Sequence, residues 1–289
     1  MPHDTMMSVL TAQRTAFTAE LPVSLSARED RLKRLAAMII ENADLLVQAM
    51  SDDFGHRSHQ QSMMTDIGGS VTQIKHALKH MAGWMKPEKR KLQFPMGLLG
   101  ARAQIEYQPK GVIGVIAPWN FPVQLTIGPL AGILAAGNRA MVKSSEVTPA
   151  VAAAFETIGP KYFDARELVF FSGGPDVGKE FASLPFDHII FTGATGIGRH
   201  ILHAAADNLV PVTLELGGKS PTIIGRSADV AVATDRIATG KMLNAGQICL
   251  APDYVFVPKE SEAAVVEDSA RPWPACIRHC SPMPIIPRW

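Results

Sequence analysis

A chain of 289 residues, 47% hydrophobic and 19% charged, is long enough for one large domain or two modest ones and has the balance of a soluble globular protein. The net charge of +1 gives no electrostatic basis for a nucleic-acid partner or an anionic membrane surface. Three cysteines, two of them in the last 14 residues, do not make a disulfide framework, so a reducing, cytoplasmic compartment is expected.

The start, MPHDTMMSVLTAQRTAF, lacks the basic and then apolar pattern of a signal peptide. Ser26 and Glu29 have the spacing of a capping box, and Leu32, Leu35, Ala36, Ile39 and Ile40 behind them recur at helical spacing. A second helical stripe runs through Ile67, Val71, Ile74, Leu78, Met81 and Met85, and Pro87 closes it. The basic KPEKRK that follows reads as a solvated turn rather than a nucleic-acid site, because neither net charge nor interleaved aromatics support the latter.

From QIEYQ at 104–108 the pattern alternates like a half-exposed strand, and GVIGVIAP reads as a strand buried on both faces. Prolines 118, 122 and 129, with Asn120 and Gln124, interrupt the apolar stretch 111–137, so it does not read as a membrane span. Helix-like and strand-like segments then alternate from VQLTIGPLAGILAAG through RAMVK, PAVAAAFETI, ELVFF, DVGKEFASL, DHIIFTG, TGIGRHILHAAA, PVTLELGG and SPTIIG to DVAVATDRIATGKM. That alternation predicts an α/β fold, a Rossmann-like parallel sheet with flanking helices, whose ligands bind at the carboxyl ends of the strands. Asn120, Lys143 to Glu146, Gly193 to Gly198 and Glu215 collect there. From Asp268 to Trp289 a Pro-, Trp- and Cys-rich tail has neither period and is expected to be irregular.

Each motif carries a chemical reading beside a plainer one. FTGATGIGRH sets Gly193, Gly196 and Gly198 at a strand-to-helix turn whose amides suit a phosphate, or it is such a turn and nothing more. Lys143 and Glu146 of VKSSE can meet a phosphate or ribose, or form a surface pair. Asn120, between the prolines of PWNFP, offers a fixed amide to an oxyanion, or is a turn asparagine. Glu215, closing an apolar strand in LELGGK, is expected to have a raised pKa suited to a general base, or to pair with Lys219. Cys249 of GQIC is a nucleophile or a buried, inert thiol. His76 and His80 sit at i, i+4 without the glutamate of a zinc-protease helix, and CIRHC at 276–280 is half of a metal site without its other half, so no metal is expected.

PWNFP, VKSSE, FTGATGIGR, LELGGKSP and GQIC, in this order and spacing, resemble the NAD(P)-dependent aldehyde dehydrogenase superfamily from about residue 28 to about 258. FGHRS at 54–58 and the block from PWNFP to VKSSE look most like its coniferyl aldehyde dehydrogenase branch. The resemblance implies a cofactor-binding domain over 1–216 with a bridging strand segment near 92–110, the start of a catalytic domain over 217–258, and a tail over 259–289. It implies NAD or NADP as cofactor and a small aldehyde as substrate, with Cys249 as nucleophile, Asn120 and the Cys249 amide holding the oxyanion, and Glu215 activating water.

The same resemblance places Lys143 and Glu146 at the adenosine ribose, Gly193, Gly196 and Gly198 beside the pyrophosphate, Trp119 at the cofactor and Phe121 in the substrate channel. Ala194 stands where many relatives have a serine; losing one hydrogen bond to a charged group costs about 1–3 kcal/mol. The family continues with an E-x-F-G-P motif and a strand that joins an oligomerisation sheet, neither of which follows here. The catalytic domain is therefore expected to be incomplete and the tail an aberrant, out-of-frame ending. Two functions follow: an aldehyde dehydrogenase, or a catalytically silent fragment that retains at most nucleotide binding. Cysteine-dependent ester hydrolysis is a third, narrower possibility.

Overall fold

In the computed structural model, which describes residues 3–269 and 285–286, the chain begins with helices α1 (His3–Glu20), α2 (Leu25–Glu41) and α3 (Ala43–Phe54). The cap of α2 is Ser24, not Ser26: Ser24 has extended backbone (φ −69°, ψ 158°) and its hydroxyl accepts from the Ala27 amide at 3.2 Å. Ser26 already lies inside the helix, where the helical backbone cannot aim a hydroxyl at the first-turn amides. Leu32, Leu35 and Ile39 are buried, but Ile40 is 55% exposed and Met38 takes the core position. Met38 lies three residues beyond Leu35, whereas Ile40 is turned about 100° away from Ile39.

A short helix α4 (His59–Ser62) runs through a π-helical turn, Met63–Gly68, into α5 (Gly69–Trp84). Ile67, Ile74 and Met81 of the second stripe are buried. The KPEKRK patch is exposed, yet it is not simply a turn. Its centre forms strand β1 (Glu88–Arg90), antiparallel to β2 (Ala103–Ile105), because Gln93–Leu99 folds back through a helical turn and brings the two segments together.

The alternating region forms β3 (Val112–Ile116), α6 (Gln124–Ala135), β4 (Arg139–Lys143), α7 (Pro149–Tyr162), β5 (Leu168–Phe171), α8 (Pro175–Ala182), β6 (His188–Gly193), α9 (Thr195–Ala206) and β7 (Val212–Leu216). Sheet order is β5-β4-β3-β6-β7; β3 is parallel to β4 and β6, and β4 to β5. The chain thus winds one way from β3 to β5 and the other way from β6, and the crevice between β3 and β6 is a topological switch point. Burial of β3 explains its unbroken apolar run, and β4 is buried along its whole length, its terminal Arg139 and Lys143 included. Gly114 lets the Phe186 ring lie against the central strand, since a side chain there would meet the ring at 2.7 Å.

Glu20 and Glu167 tie α1 and α2 to the amino ends of the strands. Arg31 contacts both carboxylates (2.5 and 2.9 Å), Arg139 contacts Glu20 (2.8 Å) and Arg34 contacts Glu167 (2.9 Å). Burial raises the Glu167 carboxyl, but Arg34 and Arg31 pull harder, and the net direction is below the ordinary value. A carboxylate lowered in the fold stabilises it above its unfolded pKa, about 4.3, and that contribution is lost as pH falls through the folded value. Melting temperature is therefore expected to drop below about pH 4.3, and less steeply in Glu167→Gln; identical pH profiles would exclude this linkage.

Two compact units divide the chain between Glu215 and Leu216. In the second, β8 (Ser220–Ile223), α10 (Val230–Met242), β9 (Pro252–Phe256), α11 (Glu262–Ser269) and β10 (Ile285–Ile286) form a parallel sheet in the order β10-β9-β8 with helices. Its small core is Ile224, Val255, Val257 and Val265, with Val230, Ala233 and Ile237 against it. The tail departs from expectation where it is described. Asp268 and Ser269 continue α11, and Ile285 and Ile286 pair with Val255 and Phe256, whose backbone groups offer a free strand edge. Positions 270–284 and 287–289, including the CIRHC cysteines, lie outside the described residues. No helix of the described residues is long and apolar enough to cross a membrane, and none of their His, Cys, Asp and Glu groups form a cluster of three or more that could hold a metal ion.

Candidate active site

Three helices follow the central strands, and each presents backbone N–H groups and a positive dipole end. Two of those ends are already answered by carboxylates. Asp66 Oδ1 accepts from the Val123 and Gln124 amides at the start of α6 (both 3.1 Å). Asp53 accepts from the Ala150 and Val151 amides of α7 at 2.9 and 3.0 Å. The third, α9, starts from Ala194, which has extended backbone and no side chain able to cap. Ala194, Thr195 and Gly196 are exposed, and no atom lies within 4 Å of where a side chain on Gly196 would begin. At the edge, α8 starts with Pro175, which lacks an N–H, and carries the anionic Asp176 in its first turn. The electrostatics of the sheet's carboxyl edge therefore leave α9, at the switch point, as the place for an anion.

Beside it, Lys143 ends β4 only 2% exposed, so it is not part of a surface pair. Its ammonium reaches Glu146 Oε2 at 2.6 Å, while Glu146 remains half exposed. Partial burial raises the Glu146 carboxyl, and the Lys143 ammonium more than reverses that, so it is held below the ordinary range. A carboxylate fixed this way keeps its outer oxygen able to accept a hydrogen bond.

The loop after β3 carries Trp119, 38% exposed, and the half-buried Asn120 and Phe121. Its support escaped the sequence reading. Arg57 Nη1 donates to the Asn120 carbonyl at 3.4 Å, and its guanidinium lies 4.9 Å from the Phe54 ring and 5.1 Å from the Phe121 ring. Arg57 Nη2 pairs with Asp66 Oδ2 at 2.7 Å. Burial pushes the Asp66 carboxyl up against the pull of Arg57, and burial lowers the Arg57 guanidinium. FGHRS held Arg57 in plain view, but nothing in the sequence near Asp66 marks a buried carboxylate.

Glu215 lies exposed within β7, not in the apolar surroundings that its strand neighbours predict. Lys219 pairs instead with Asp253, at 3.3 Å. In the second unit, Cys249 is a free and exposed thiol rather than a buried, inert one. The approach to it is strained. Asn244 (φ 53°), Ala245 (φ 54°) and Gly246 (φ 77°) are all left-handed, a conformation costing about 1–2 kcal/mol per non-glycine residue. Buried Asn244 pins the turn: its carbonyl accepts from the Gln247 amide at 3.0 Å and its side-chain amide donates to the Gln247 carbonyl at 3.4 Å. Strain retained in this way, three residues before an exposed thiol, is of the kind that clusters at functional loops.

Comparison with known proteins adds the lineage. The pattern of the aldehyde dehydrogenase family matches residues 3–272. A coniferyl aldehyde dehydrogenase from Pseudomonas sp. is 52% identical over 264 residues, a match covering 91% of this chain and 54% of that protein. Among solved structures, the substrate-bound state of Staphylococcus aureus AldH superposes with a TM-score of 0.86 at 34% identity, over 92% of this chain and 57% of that one. A mutant of aldehyde dehydrogenase C from Pseudomonas syringae, complexed with NAD+ and octanal, superposes with a TM-score of 0.81 at 28% identity, over 93% and 54% respectively. The chain thus spans about half the length of the relatives it matches. With the doubly wound sheet and the order of motifs along it, these matches establish that the chain belongs to the aldehyde dehydrogenase family.

Proposed function

We propose that this chain carries the nucleotide-binding and thiol machinery for oxidising an aldehyde to its carboxylic acid with NAD or NADP, an aromatic aldehyde such as coniferyl aldehyde being the favoured substrate. The observation that carries the reading is the uncapped start of α9 at the switch point, in a chain half identical to a coniferyl aldehyde dehydrogenase. The residues present suit the cofactor: α9 amides from Thr195 for its pyrophosphate, with Gly193, Gly196 and Gly198 keeping the turn slim, and Lys143 and Glu146 for its adenosine ribose. Trp119 is assigned to the cofactor's side of the same loop and Phe121 to the substrate's. Residues 1–216 then act as the cofactor-binding domain and 217–258 as the start of the catalytic one.

Cys249, as thiolate, adds to the aldehyde carbon, and the carbonyl oxygen becomes an alkoxide held by the Asn120 side-chain amide and the Cys249 N–H. Bound NAD(P) supplies the two-electron acceptor for the hydrogen leaving that carbon. A thioester on Cys249 results. Glu215 takes a proton from water as the water attacks the thioester, and the acid leaves while the thiolate is restored. The exposure of Glu215 suits access to water.

Titrating the 289-residue chain with NAD and NADP while following thermal unfolding, then assaying the same sample with coniferyl aldehyde, tests the reading. A ligand-dependent rise in melting temperature with turnover supports it; a rise without turnover supports a nucleotide-binding fragment. No rise with either nucleotide rejects both.

Ala194→Asp isolates the α9 assignment. A carboxylate at this cap should stabilise the unliganded chain by about 0.5–2 kcal/mol, yet repel the pyrophosphate and shrink the nucleotide-induced shift. An undiminished shift in the variant would move the pyrophosphate away from α9.

A further inference from the structure

Outside the residues assigned above, Arg57 and Asp66 form the most deeply buried ion pair of the described residues, with side chains 3% and 0% exposed. A buried pair is weak evidence for stability, because apolar side chains of similar volume fill such space as well or better. What apolar side chains cannot do is hold main chain by direction. Asp66 Oδ2 accepts from Arg57 and from Thr65 Oγ1 (3.0 Å), and Oδ1 from the amides of Val123 and Gln124. Arg57 donates to the Asn120 carbonyl and lies within cation–π distance of the Phe54 and Phe121 rings. The outward contacts of the pair thus fall at the carbonyl of Asn120 and at the amides three and four residues later.

We propose that Arg57 and Asp66 are positioning residues that hold the 118–124 loop so that the Asn120 amide faces the developing oxyanion. The proposal rests on the reading of Asn120 given above. The pair touches no reacting atom. It works through the loop, holding Asn120 and Phe121 by a guanidinium and the Val123 and Gln124 amides by a carboxylate, and the ion pair joins the two grips. Met63–Gly68 makes this possible: a π-helical turn contains one residue more than an α-turn, and it leaves Asp66 and Ile67 both buried.

The test uses the full chain with Arg57→Met, Asp66→Leu, the double variant and Arg57→Lys. Melting temperature, hydrogen exchange of the 118–125 peptide, and kcat and KM for coniferyl aldehyde are measured for each. Each single apolar variant should melt earlier, and the double variant should recover most of that loss. In the double variant the 118–125 peptide should nonetheless exchange at least about tenfold faster, with the β4 and β5 peptides unchanged. Its kcat should fall about 100-fold with little change in KM. Arg57→Lys keeps the charge but not the planar fork, and should show the faster exchange without the loss of folding.

A folded double variant with wild-type exchange and wild-type kcat would overturn the proposal. If the double variant does not fold, wild-type exchange in Arg57→Lys overturns it equally. If the wild-type chain oxidises no aldehyde, the functional reading fails for this chain. The exchange comparison then decides by itself whether the pair orders the loop.

Discussion

Replacing Cys249 with alanine is expected to abolish aldehyde oxidation by this chain, a loss of at least about 10³-fold, while leaving the nucleotide-induced rise in melting temperature intact. The separation of the two effects follows from where the groups lie. The amides of α9 and the Lys143–Glu146 pair belong to the first unit, and the thiol to the second. Cys249→Ser should not rescue turnover, because a serine hydroxyl ionises far less readily than a thiol. Nothing else in the GQIC turn offers a nucleophile. Loss of reduced-nicotinamide formation together with an unchanged thermal shift is the outcome expected. Persistent turnover in Cys249→Ala would remove the thiohemiacetal route altogether, and a lost shift would mean that the thiol's loop supports nucleotide binding.

The largest effect on stability is expected at Asp66, not at the more visible helix caps. Asp66→Ala strands the Arg57 guanidinium, whose side chain is 3% exposed, and also uncovers the α6 amides. Removing one partner of a buried pair costs about 3–5 kcal/mol. Asp53→Ala, at the half-buried cap of α7, strands no charge and should cost about 0.5–2 kcal/mol. At about 2–4 °C per kcal/mol for a domain of this size, Asp66→Ala should melt roughly 6–20 °C lower than the parent. Thermal or denaturant unfolding of the two variants in parallel decides the matter. Equal losses would mean that water reaches Arg57 and that the pair is not sealed.

Much of the architecture could be read from residue order. GVIGVIAP has no polar face to show solvent, so it had to be an inner strand of a sheet covered on both sides, and the helical stretches that follow supply the covers. Gly193, Gly196 and Gly198 after an apolar strand marked the α9 turn in the sequence itself. The matched motifs carried the family as well, because five short segments in fixed order cannot easily coincide.

Other features depend on residues distant in sequence, and no local pattern encodes them. Ser24 rather than Ser26 caps α2 because the backbone turns extended there, and KPEKRK holds a strand because Ala103–Ile105 comes back beside it. Burial of Lys143, exposure of Glu215 and exposure of Cys249 all reverse a plain reading of their neighbours, since solvent access is a property of the packed chain and not of the flanking residues. The same holds most strongly for Arg57 and Asp66. Residue types and spacing specified the sheet, its order of motifs and the candidate chemistry. Only folding made a charged pair out of a loop arginine and a helix aspartate and set it beneath Asn120, because the direction of a buried carboxylate comes from the amides and the guanidinium that close around it.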